Sequence, residues 1–425
     1  MAELGGKEAG VKRPRVVIVG SGFAGLTAQH RLAKSGMAVT LVDRNVYGTF
    51  QPLLYQVATA GLASSDVAYP AWTAAHKTRT EFRRGEVVGI DTGTREVQLA
   101  DGGVLGYEYL VLATGVSAAF FGITGAAEHT FSLYTRADSI ILRNRLMAEL
   151  EKRSAGDDSD LGITIVGGGA TGVELAGTLA ELRNIALPAS FPDIDPKRIC
   201  VTLIEAGPAL LAPFNSKLRD YAKRELVERG VDVRLDTKIE RVERDRVFIS
   251  GGTELTSDLT VWAAGISGPE WTGKLGLPTG KGRRLLTGPD LRVADQDRIF
   301  AAGDIGVIDG YPLPQLSAPA IQQGRHVADQ IKLIEAGRPT KPFHYRDKGI
   351  AATIGHRSAV VELSGGIKLR GTLAWLGWLG LHLFYLLGNR NRISALVNLS
   401  WRYLTWSRGG GVIIGDDETE PPARS

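Results

Sequence analysis

The stretch RVVIVGSGFAGLTAQHRLAKSGMAVTLVD, residues 15–43, carries the clearest structural pattern in this chain. It predicts a buried strand, a glycine turn, a helix and a second strand that ends at Asp43. Gly20, Gly22 and Gly25 form the pattern GxGxxG, whose glycines permit a tight turn, close approach to a pyrophosphate and close helix–strand packing. The first helical amides would face the phosphate charge, and Asp43 can accept hydrogen bonds from a ribose. The stretch therefore predicts a dinucleotide-binding unit.

A second copy of this pattern lies later in the chain. One copy alone would also fit a glycine turn without a ligand, but ITIVGGGATGVELAGTLAEL, residues 163–182, repeats the strand, the glycines and the helix. Its glycines are Gly167, Gly169 and Gly172, and the next strand ends at Glu205. A carboxylate there accepts from a ribose 2′-hydroxyl and repels a 2′-phosphate, so it favours NADH over NADPH. Residues 184–198 are rich in proline and are predicted to be an inserted loop.

Three further apolar strands are each followed by a glycine, at the positions in the chain that two dinucleotide-binding units would require. They are YLVLATG, which contains Ala113 and ends at Gly115, LTVWAAG, which ends at Gly265, and RIFAAGDIG, which carries Asp304. Strands that alternate with helices build parallel sheets. The predicted fold class is therefore α/β, with two Rossmann-type dinucleotide-binding domains.

Composition narrows the functional classes. A chain of 425 residues is long enough for two or three domains. Its formal net charge of +4 is small for that length, so charge does not indicate nucleic-acid binding. Cys200 is the single cysteine, which excludes a two-thiol redox centre, and its strand CVTLIE predicts a small buried hydrophobe. The polar N-terminus lacks the apolar core of a signal peptide, which predicts that the body stays in the cytoplasm.

The order of these elements resembles that of pyridine-nucleotide flavoprotein reductases, which have a glutathione-reductase-like fold. In that group the first glycine loop holds FAD, the second holds NAD(P)H, and the acid of the GD element binds FAD. The resemblance implies this role for Asp304, and it implies that Ala113, Gly115 and Gly265 line the cofactor sites. It also implies three regions: a discontinuous FAD domain at residues 12–120 and 285–340, an NADH domain at 121–284, and a C-terminal interface and membrane-anchoring region at 341–425.

Other segments resemble one family in that group, the type II NADH dehydrogenases, which are single-subunit NADH:quinone oxidoreductases that pump no protons. These segments are GTFQPLLYQVATAGL from Gly48, LPQLSAPAIQQGRHVADQI from Leu313 and YRDKGIAATIGHRSAVV from Tyr345. The resemblance implies that NADH reduces bound FAD and that two electrons then pass to a membrane quinone, menaquinone or ubiquinone. The chain departs from the family at Ser317 and Ala318, where the family often has Ala-Gln.

The same resemblance assigns roles to single residues. The catalytic candidates are Glu174, near the nicotinamide and flavin, and Gln322 and Gln323, which would orient a quinone carbonyl. Three residues would border the isoalloxazine ring: Gln51, Pro52 and Leu53. An ordinary solvated position is the alternative for Glu174 and for both glutamines. Independently of the family, Ser317 is predicted to be the N-cap of a helix whose positive end would stabilise a reduced, anionic flavin.

The C-terminal part has an unusual charge pattern, because no acidic residue lies between Glu362 and Asp416. Cations and apolar runs without anions suit an anionic lipid surface. The cations are Lys368, Arg370, Arg390, Arg392, Arg402 and Arg408. The aromatic residues expected at the headgroup level are Trp375, Trp378, Phe384, Tyr385, Trp401, Tyr403 and Trp406. One helical face carries Ser394, Asn398, Arg402 and Thr405, which predicts an in-plane amphipathic helix.

Three interpretations of the first apolar run, GTLAWLGWLGLHLFYLLG from Gly371, stay open. A transmembrane helix is one, although about 17 apolar residues would reach only about 25 Å. A soluble dimer interface is another. Peripheral, monotopic attachment to the cytoplasmic face of the cell membrane is favoured, because a long-chain quinone stays in the bilayer. The same helices could also form a homodimer.

A different functional class competes with quinone reduction. The fold without cysteine pairs also serves soluble NADH-dependent reductases of iron–sulfur proteins, and NADH-sensing scaffolds that signal by dimerising. A surface that binds a soluble protein is expected to carry mixed charges. The acid-free, tryptophan-rich C-terminal part therefore favours the quinone enzyme.

Overall fold

The computed structural model describes residues 14–405, with the backbone alone for residues 402–405. The predictions for the side chains of Arg402, Tyr403 and Thr405, and those for Trp406 and Arg408, lie outside the described residues. The described chain divides into two compact units. The first contains the residues up to Gly48 together with Pro70–Val116 and Ser267–Arg346. The second contains Thr49–Tyr69, Ser117–Ile266 and the residues from Asp347 onward.

The helices and strands alternate along much of the chain. The α-helices are α1 (Phe23–Ala33), α2 (Leu54–Ala58), α3 (Ala71–Thr78), α4 (Ala126–His129), α5 (Arg136–Ser154), α6 (Ala170–Glu181), α7 (Leu187–Ser190), α8 (Ser216–Glu228), α9 (Ser317–Glu335), α10 (Thr372–Tyr385) and α11 (Asn389–Thr405). The strands are β1 (Arg15–Val19), β2 (Ala38–Asp43), β3 (Tyr47–Thr49), β4 (Ala68–Pro70), β5 (Glu81–Arg84), β6 (Val87–Asp91), β7 (Glu96–Leu99), β8 (Val104–Gly106), β9 (Tyr109–Leu112), β10 (Ser117–Ala118), β11 (Phe131–Ser132), β12 (Leu161–Val166), β13 (Ile199–Ile204), β14 (Asp232–Arg234), β15 (Ile239–Val242), β16 (Arg246–Ile249), β17 (Thr253–Thr256), β18 (Leu259–Trp262), β19 (Ile266–Ser267), β20 (Leu285–Thr287), β21 (Ile299–Ala301), β22 (Gly306–Ile308), β23 (Ile350–Gly355), β24 (Ser358–Glu362) and β25 (Lys368–Arg370).

The first unit is built on a parallel sheet in the order β21-β9-β1-β2-β5. The strand order reverses beside β1, and in open parallel sheets ligands bind at the carboxyl ends of the strands at such a switch point. Val17, Leu110 and Ile299 lie in the buried core on this sheet. An antiparallel sheet, β6-β7-β8, completes this core. The predicted Rossmann-type α/β unit is confirmed.

The second unit repeats this plan with the parallel order β11-β18-β12-β13-β14. Beside it lie two antiparallel sheets, β15-β16-β17 and β23-β24-β25. Helix α6 packs closely on β23, since a Cβ added at Gly177 would lie 2.0 Å from the Ile354 carbonyl oxygen. The second Rossmann-type unit is confirmed as well.

Two local predictions are wrong. Residues 184–198 are not simply a loop, because α6 continues through a π-helical turn, Leu182–Ala186, into α7. Pro188, the second residue of α7, has no N–H to continue the helical hydrogen bonding, and α7 ends at Ser190. Cys200 is exposed, because it lies on the outward side of the alternating strand β13.

The domain boundaries stay a prediction. In the second compact unit, Thr49–Tyr69 lies with the segment that carries the second glycine loop and with the residues from Asp347 onward.

Candidate functional site

The first glycine loop joins β1 to α1. Gly20 has a φ of +107°, and a Cβ there would lie 2.3 Å from the Ala113 carbonyl oxygen. A Cβ on Gly25 would lie 1.8 Å from the carbonyl oxygen of Gly20, whereas one on Gly22 would meet nothing within 4 Å. Helix α1 begins directly after Gly22 without a side-chain cap. Its first amides therefore face open space of the kind that a pyrophosphate fills.

Asp43 at the end of β2 braces this loop. Its Oδ2 accepts from the backbone N–H and from the hydroxyl of Ser21, both at 2.7 Å. Its Oδ1 accepts from the Asn45 N–H at 2.8 Å. A carboxylate oxygen has two acceptor sites, so Asp43 can still accept from a ribose hydroxyl.

Asp304 follows β21, the outer strand of the same sheet, and its carboxylate accepts no hydrogen bond from the described residues. Burial raises its pKa to about 6, and the nearby Arg284 guanidinium acts in the opposite direction. Arg284 donates to the Asp304 carbonyl oxygen at 2.6 Å, which fixes the backbone there. This half-buried carboxylate, which has no donor among the described residues, suits a ligand that carries hydroxyl groups.

The second loop has the same geometry as the first. Gly167 has a φ of +112°, a Cβ on Gly172 would lie 1.9 Å from the Gly167 carbonyl oxygen, and one on Gly169 would meet nothing within 4 Å. Glu205 accepts from the Gly168 N–H at 2.6 Å and from the Gly207 N–H at 2.7 Å. The longer sequence distance to this acid therefore does not change its position beside the loop.

The strand ends carry the other predicted cofactor residues. Ala113 is buried and follows β9, and Gly115 has a φ of +69°. Gly265 follows β18 with a φ of +76°, and a Cβ there would lie 2.2 Å from the Phe121 ring. The 3-10 turn Gln51–Leu53 lies in the second unit, where Leu53 is buried and Pro52 is in the first turn.

Glu174 lies on α6 and is buried, with 7% of its surface exposed. Burial raises its pKa to about 8, and the Thr353 N–H and the Trp378 indole act in the opposite direction. The Thr353 N–H donates to Glu174 Oε1 at 3.2 Å. The carboxyl group is therefore protonated at neutral pH, and the alternative of a solvated helix residue is wrong.

Helix α10 supplies Trp378, which approaches Glu174, and His382, which stacks on Trp378. The sequence predicts neither of them at this site. Trp378 is 1% exposed and stacks on His382 with ring centroids 4.1 Å apart. His382 Nδ1 lies 2.7 Å from the Trp378 carbonyl oxygen, so Nδ1 carries the proton. Burial lowers the pKa of His382 to about 4. Phe50, next to Gln51, meets this imidazole edge-on at 6.3 Å. The spacing of four between Trp378 and His382 was the available signal.

Both candidate glutamines lie on α9 in the first unit. Gln323 Oε1 accepts from the Gly303 N–H, next to Asp304, at 2.5 Å. Gln322 donates to the Arg346 carbonyl and accepts from the Arg346 N–H, each at 3.0 Å. The prediction of Ser317 as N-cap is wrong, because α9 starts at Ser317 and its N-cap is Leu316, without a side-chain bond.

The C-terminal helices differ from the prediction in which side chains they bury. Trp375 and Trp378 are buried in the protein, so their assignment to a headgroup layer is wrong. One face of α10 is exposed, as is one face of α11. The exposed side chains are Leu373, Leu376, Leu381 and Phe384 on α10, and Ile393, Leu396, Val397 and Trp401 on α11. Among the described residues, no helix has the length and apolar character to cross a membrane.

Most of the chain is similar to proteins of one known family. Residues 14–324 match the family model described as pyridine nucleotide-disulphide oxidoreductase. The chain is 34% identical over 421 residues to the type II NADH:quinone oxidoreductase Ndh of Mycobacterium tuberculosis, covering 94% of this chain and 90% of the relative. It is 30% identical over 371 residues to the type II NADH:quinone oxidoreductase of Staphylococcus aureus, covering 83% and 90%. The structure of NDH2 from Plasmodium falciparum with NADH superposes with a TM-score of 0.86 at 19% identity, covering 92% of this chain and 98% of that one.

Proposed function

This chain belongs to the pyridine nucleotide-disulphide oxidoreductase family and to its type II NADH:quinone oxidoreductases, and on that basis we propose how its residues bind both nucleotides and reach a membrane quinone. It is an FAD-dependent enzyme that oxidises NADH and reduces a quinone. The residues with proposed roles lie on the two glycine loops, at the ends of neighbouring strands, on the 3-10 turn Gln51–Leu53, on helices α6 and α9, and on the C-terminal helices.

The first loop and Asp304 are proposed to hold FAD. Bound FAD supplies the redox chemistry, since it takes up hydride from NADH and gives two electrons to quinone. The open space before α1 suits the pyrophosphate, and the braced Asp43 suits the adenosine ribose. The unpartnered Asp304 carboxylate suits hydroxyl groups nearer the flavin. Gln323 accepts a hydrogen bond from the Gly303 N–H, so its proposed role is to keep the neighbouring Asp304 in place.

The second loop is proposed to hold NADH. Glu205 fills the space in front of Gly168 with a carboxylate, which accepts from the 2′-hydroxyl of NADH and repels the 2′-phosphate of NADPH. Gly265, at the end of the neighbouring strand, leaves the backbone free to approach the nicotinamide half.

Glu174 is proposed to supply a proton. Reduction of a quinone to a quinol takes up two protons, and a carboxyl group that is neutral at neutral pH can donate one. Gln51 offers a neutral amide, which can orient a quinone carbonyl without imposing a charge. Gln51 Oε1 is buried and has no partner among the described residues, so it is the acceptor that a quinol hydroxyl would satisfy.

The exposed apolar faces of α10 and α11 are the observation that carries the proposed membrane attachment. Soluble proteins rarely expose so many large apolar side chains together. The exposed cations Lys368, Arg370 and Arg390 lie near these faces in sequence and suit anionic lipid. We place the enzyme peripherally on the cytoplasmic face of the cell membrane, as a homodimer. A soluble iron–sulfur protein as acceptor is not favoured, because the relatives at 30% identity or more carry quinone oxidoreductase names.

Sedimentation with anionic phospholipid vesicles tests the attachment. The double variant Leu373→Glu, Phe384→Glu changes side chains that are 72% and 70% exposed. Because full burial of one such side chain contributes about 1.5–3 kcal/mol, vesicle binding should fall by at least about tenfold. Val88→Glu, at a site 53% exposed in the first unit, is the matched control and should bind as the wild type does. Equal binding of all three proteins would contradict membrane attachment through α10.

A further inference from the structure

The polar face of α11 points into the protein, towards a buried carboxylate. Asp66 is 4% exposed. Its Oδ1 accepts from the Ser394 hydroxyl at 2.7 Å, and its Oδ2 accepts from Asn398 Nδ2 at 2.7 Å. These two α11 residues belong to the face that the sequence marks as polar. That face therefore makes a specific contact, and the apolar face of the same helix is left outward.

The segment around Asp66 is also tied to the start of α11. Asn391, which is buried, donates through Nδ2 to the Ala68 carbonyl oxygen at 2.7 Å. At Gly388, just before α11, a Cβ would lie 3.0 Å from the Tyr69 ring. Residues 66–69 therefore contact α11 along about two helical turns, which gives the helix one defined register.

On its other side, this segment holds the residues that lead into the proposed quinone site. The Phe50 N–H donates to the Val67 carbonyl oxygen at 2.7 Å. Phe50 is 3% exposed and meets His382 of α10 edge-on. Gln51 is the next residue, and its Oε1 is a buried acceptor that has no hydrogen-bond partner among the described residues. The polar face of α11 is therefore hydrogen-bonded to Asp66, and the next residue in the chain, Val67, is hydrogen-bonded to Phe50.

The outward face of α11 explains why such a connection is needed. Ile393, Val397 and Trp401 are 63%, 57% and 58% exposed. In a lipid surface these side chains draw α11 away from the protein, since their burial in hydrocarbon is favourable. A carboxylate that accepts from two donors on the helix opposes that displacement more strongly than neutral hydrogen bonds would.

We propose that Asp66 is a positioning residue for quinone reduction, which holds the membrane-facing helix α11 in register with the Phe50–Gln51 segment. The inference rests on the proposed function, because it assumes that this segment borders the quinone. Asp66 itself touches no reacting atom. Replacing it should therefore raise KM for a long-chain quinone in a membrane. NADH binding and the rate of flavin reduction should not change.

The test uses Asp66→Asn, which keeps the size of the side chain, removes its negative charge and leaves one oxygen acceptor for the two donors of α11. In proteoliposomes, KM for a long-chain menaquinone should rise by about tenfold, because hydrogen bonds to a charged group are lost. Two rates should stay within about twofold of the wild type, because neither depends on the position of α11 in the membrane. They are the rate of flavin reduction by NADH in anaerobic stopped-flow and the turnover with a water-soluble short-chain quinone.

The matched control is the exchange Asp66→Asn with Asn398→Asp. It restores a donor–acceptor pair between the same two positions, so KM for the long-chain quinone should return to within about threefold of the wild type. Ser394→Ala removes one of the two α11 hydrogen bonds to Asp66, together with the long 3.4 Å bond that Ser394 accepts from Asn398 Nδ2, and leaves the charge of Asp66 in place. It should give a smaller rise, about threefold, even if Asp66→Asn folds poorly.

Three results would overturn the assignment. The first is an equal loss with long-chain and short-chain quinones, which would make Asp66 a general structural residue. The second is failure of the exchange variant to restore the long-chain KM, and the third is an unchanged KM in Asp66→Asn. A wild-type enzyme that reduces its flavin but no quinone would instead refute the proposed function, and it would do so before any variant is compared.

Discussion

The two glycine-loop helices, α1 and α6, begin alike and differ in what packs on them. Each follows a loop whose first glycine has a φ above +100°, and each loop is held by an acid from the next strand, Asp43 or Glu205. Helix α1 packs on α9, where a Cβ on Gly324 would lie 2.3 Å from the Ala24 carbonyl oxygen. Helix α6 packs instead on strand β23 of the C-terminal sheet.

The residue type and the packing partner together decide which of the two helices buries a carboxylate. On α6, Glu174 is buried against β23, and the strand supplies only the Thr353 N–H. Helix α1 buries no carboxylate. A repeated motif therefore repeats nucleotide binding, while the ability to hold a proton at neutral pH belongs to the second copy alone.

Equivalent glycine substitutions in the two loops should give the largest effects. One should impair flavin binding and the other NADH binding. A Cβ on Gly25 or Gly172 would overlap a backbone carbonyl, and such overpacking costs about 1–3 kcal/mol or more. Gly25→Ala should be purified with less than about a tenth of its flavin, and Gly172→Ala should keep its flavin but need at least about thirtyfold more NADH. Absorbance spectra and steady-state kinetics measure both.

The control for these variants is Gly273→Ala, because a Cβ there would meet nothing within 4 Å. It should keep its flavin and its KM for NADH. Loss of flavin from Gly172→Ala, with retention in Gly25→Ala, would reverse the assignment of the two loops.

Glu174→Gln should give the next largest effect. Removing a group that donates a proton should lower quinone turnover by about a hundredfold at pH 7, while flavin reduction by NADH changes little. In the wild type, quinone turnover should fall as pH rises through about 8, where Glu174 loses its proton. The variant should lack this limb of the pH–rate profile.

The same pKa predicts a stability difference. The folded pKa of Glu174 is raised to about 8 from 4.5, so between these values the folded protein keeps a proton that the unfolded chain has lost. The free energy of unfolding therefore falls as pH rises across this window, by up to about 1.4 kcal/mol per pH unit from this group. The free energy of unfolding of Glu174→Gln, measured by denaturation, should depend less steeply on pH than that of the wild type. An identical slope in both proteins would show that Glu174 titrates normally.

Glu205→Ala should give a smaller effect, confined to nucleotide choice. Removing the carboxylate abolishes both the acceptor for the 2′-hydroxyl and the repulsion of a 2′-phosphate, so the preference for NADH over NADPH should fall by about tenfold. Asp43→Ala is the comparison variant, because it removes the equivalent acid from the first loop. It should weaken flavin retention without changing the NADH to NADPH ratio in kcat/KM, and a changed ratio would contradict the assignment.

The parts of the molecule that could be predicted from sequence are those fixed by local chemistry. The glycine turns, the acids that follow them and the parallel strands depend on residues about 20 to 40 positions apart, within one βαβ unit. The N-cap of α9 was misplaced by one residue because Leu316, not Ser317, adopts the extended backbone there.

The C-terminal helices show where sequence was insufficient. The run around Trp378 is apolar on all sides, so its pattern does not reveal that one side packs on β24 and buries Trp375 and Trp378. The polar face of α11 was recognised, but its partner Asp66 lies 328 residues before Ser394, too distant for any local pattern to indicate. Burial against remote segments also gives Glu174 and His382 their shifted pKa values.

In the proposed enzyme one glycine loop holds the flavin, the other holds NADH, and the electrons leave to a quinone. The most direct test is anaerobic stopped-flow absorbance of the flavin in proteoliposomes, first with NADH and then with a menaquinone analogue. We expect NADH to bleach the flavin and the quinone to reoxidise it within the turnover time, with Gly172→Ala slowed only in the first phase. Rapid bleaching by NADH followed by no reoxidation would contradict the claim.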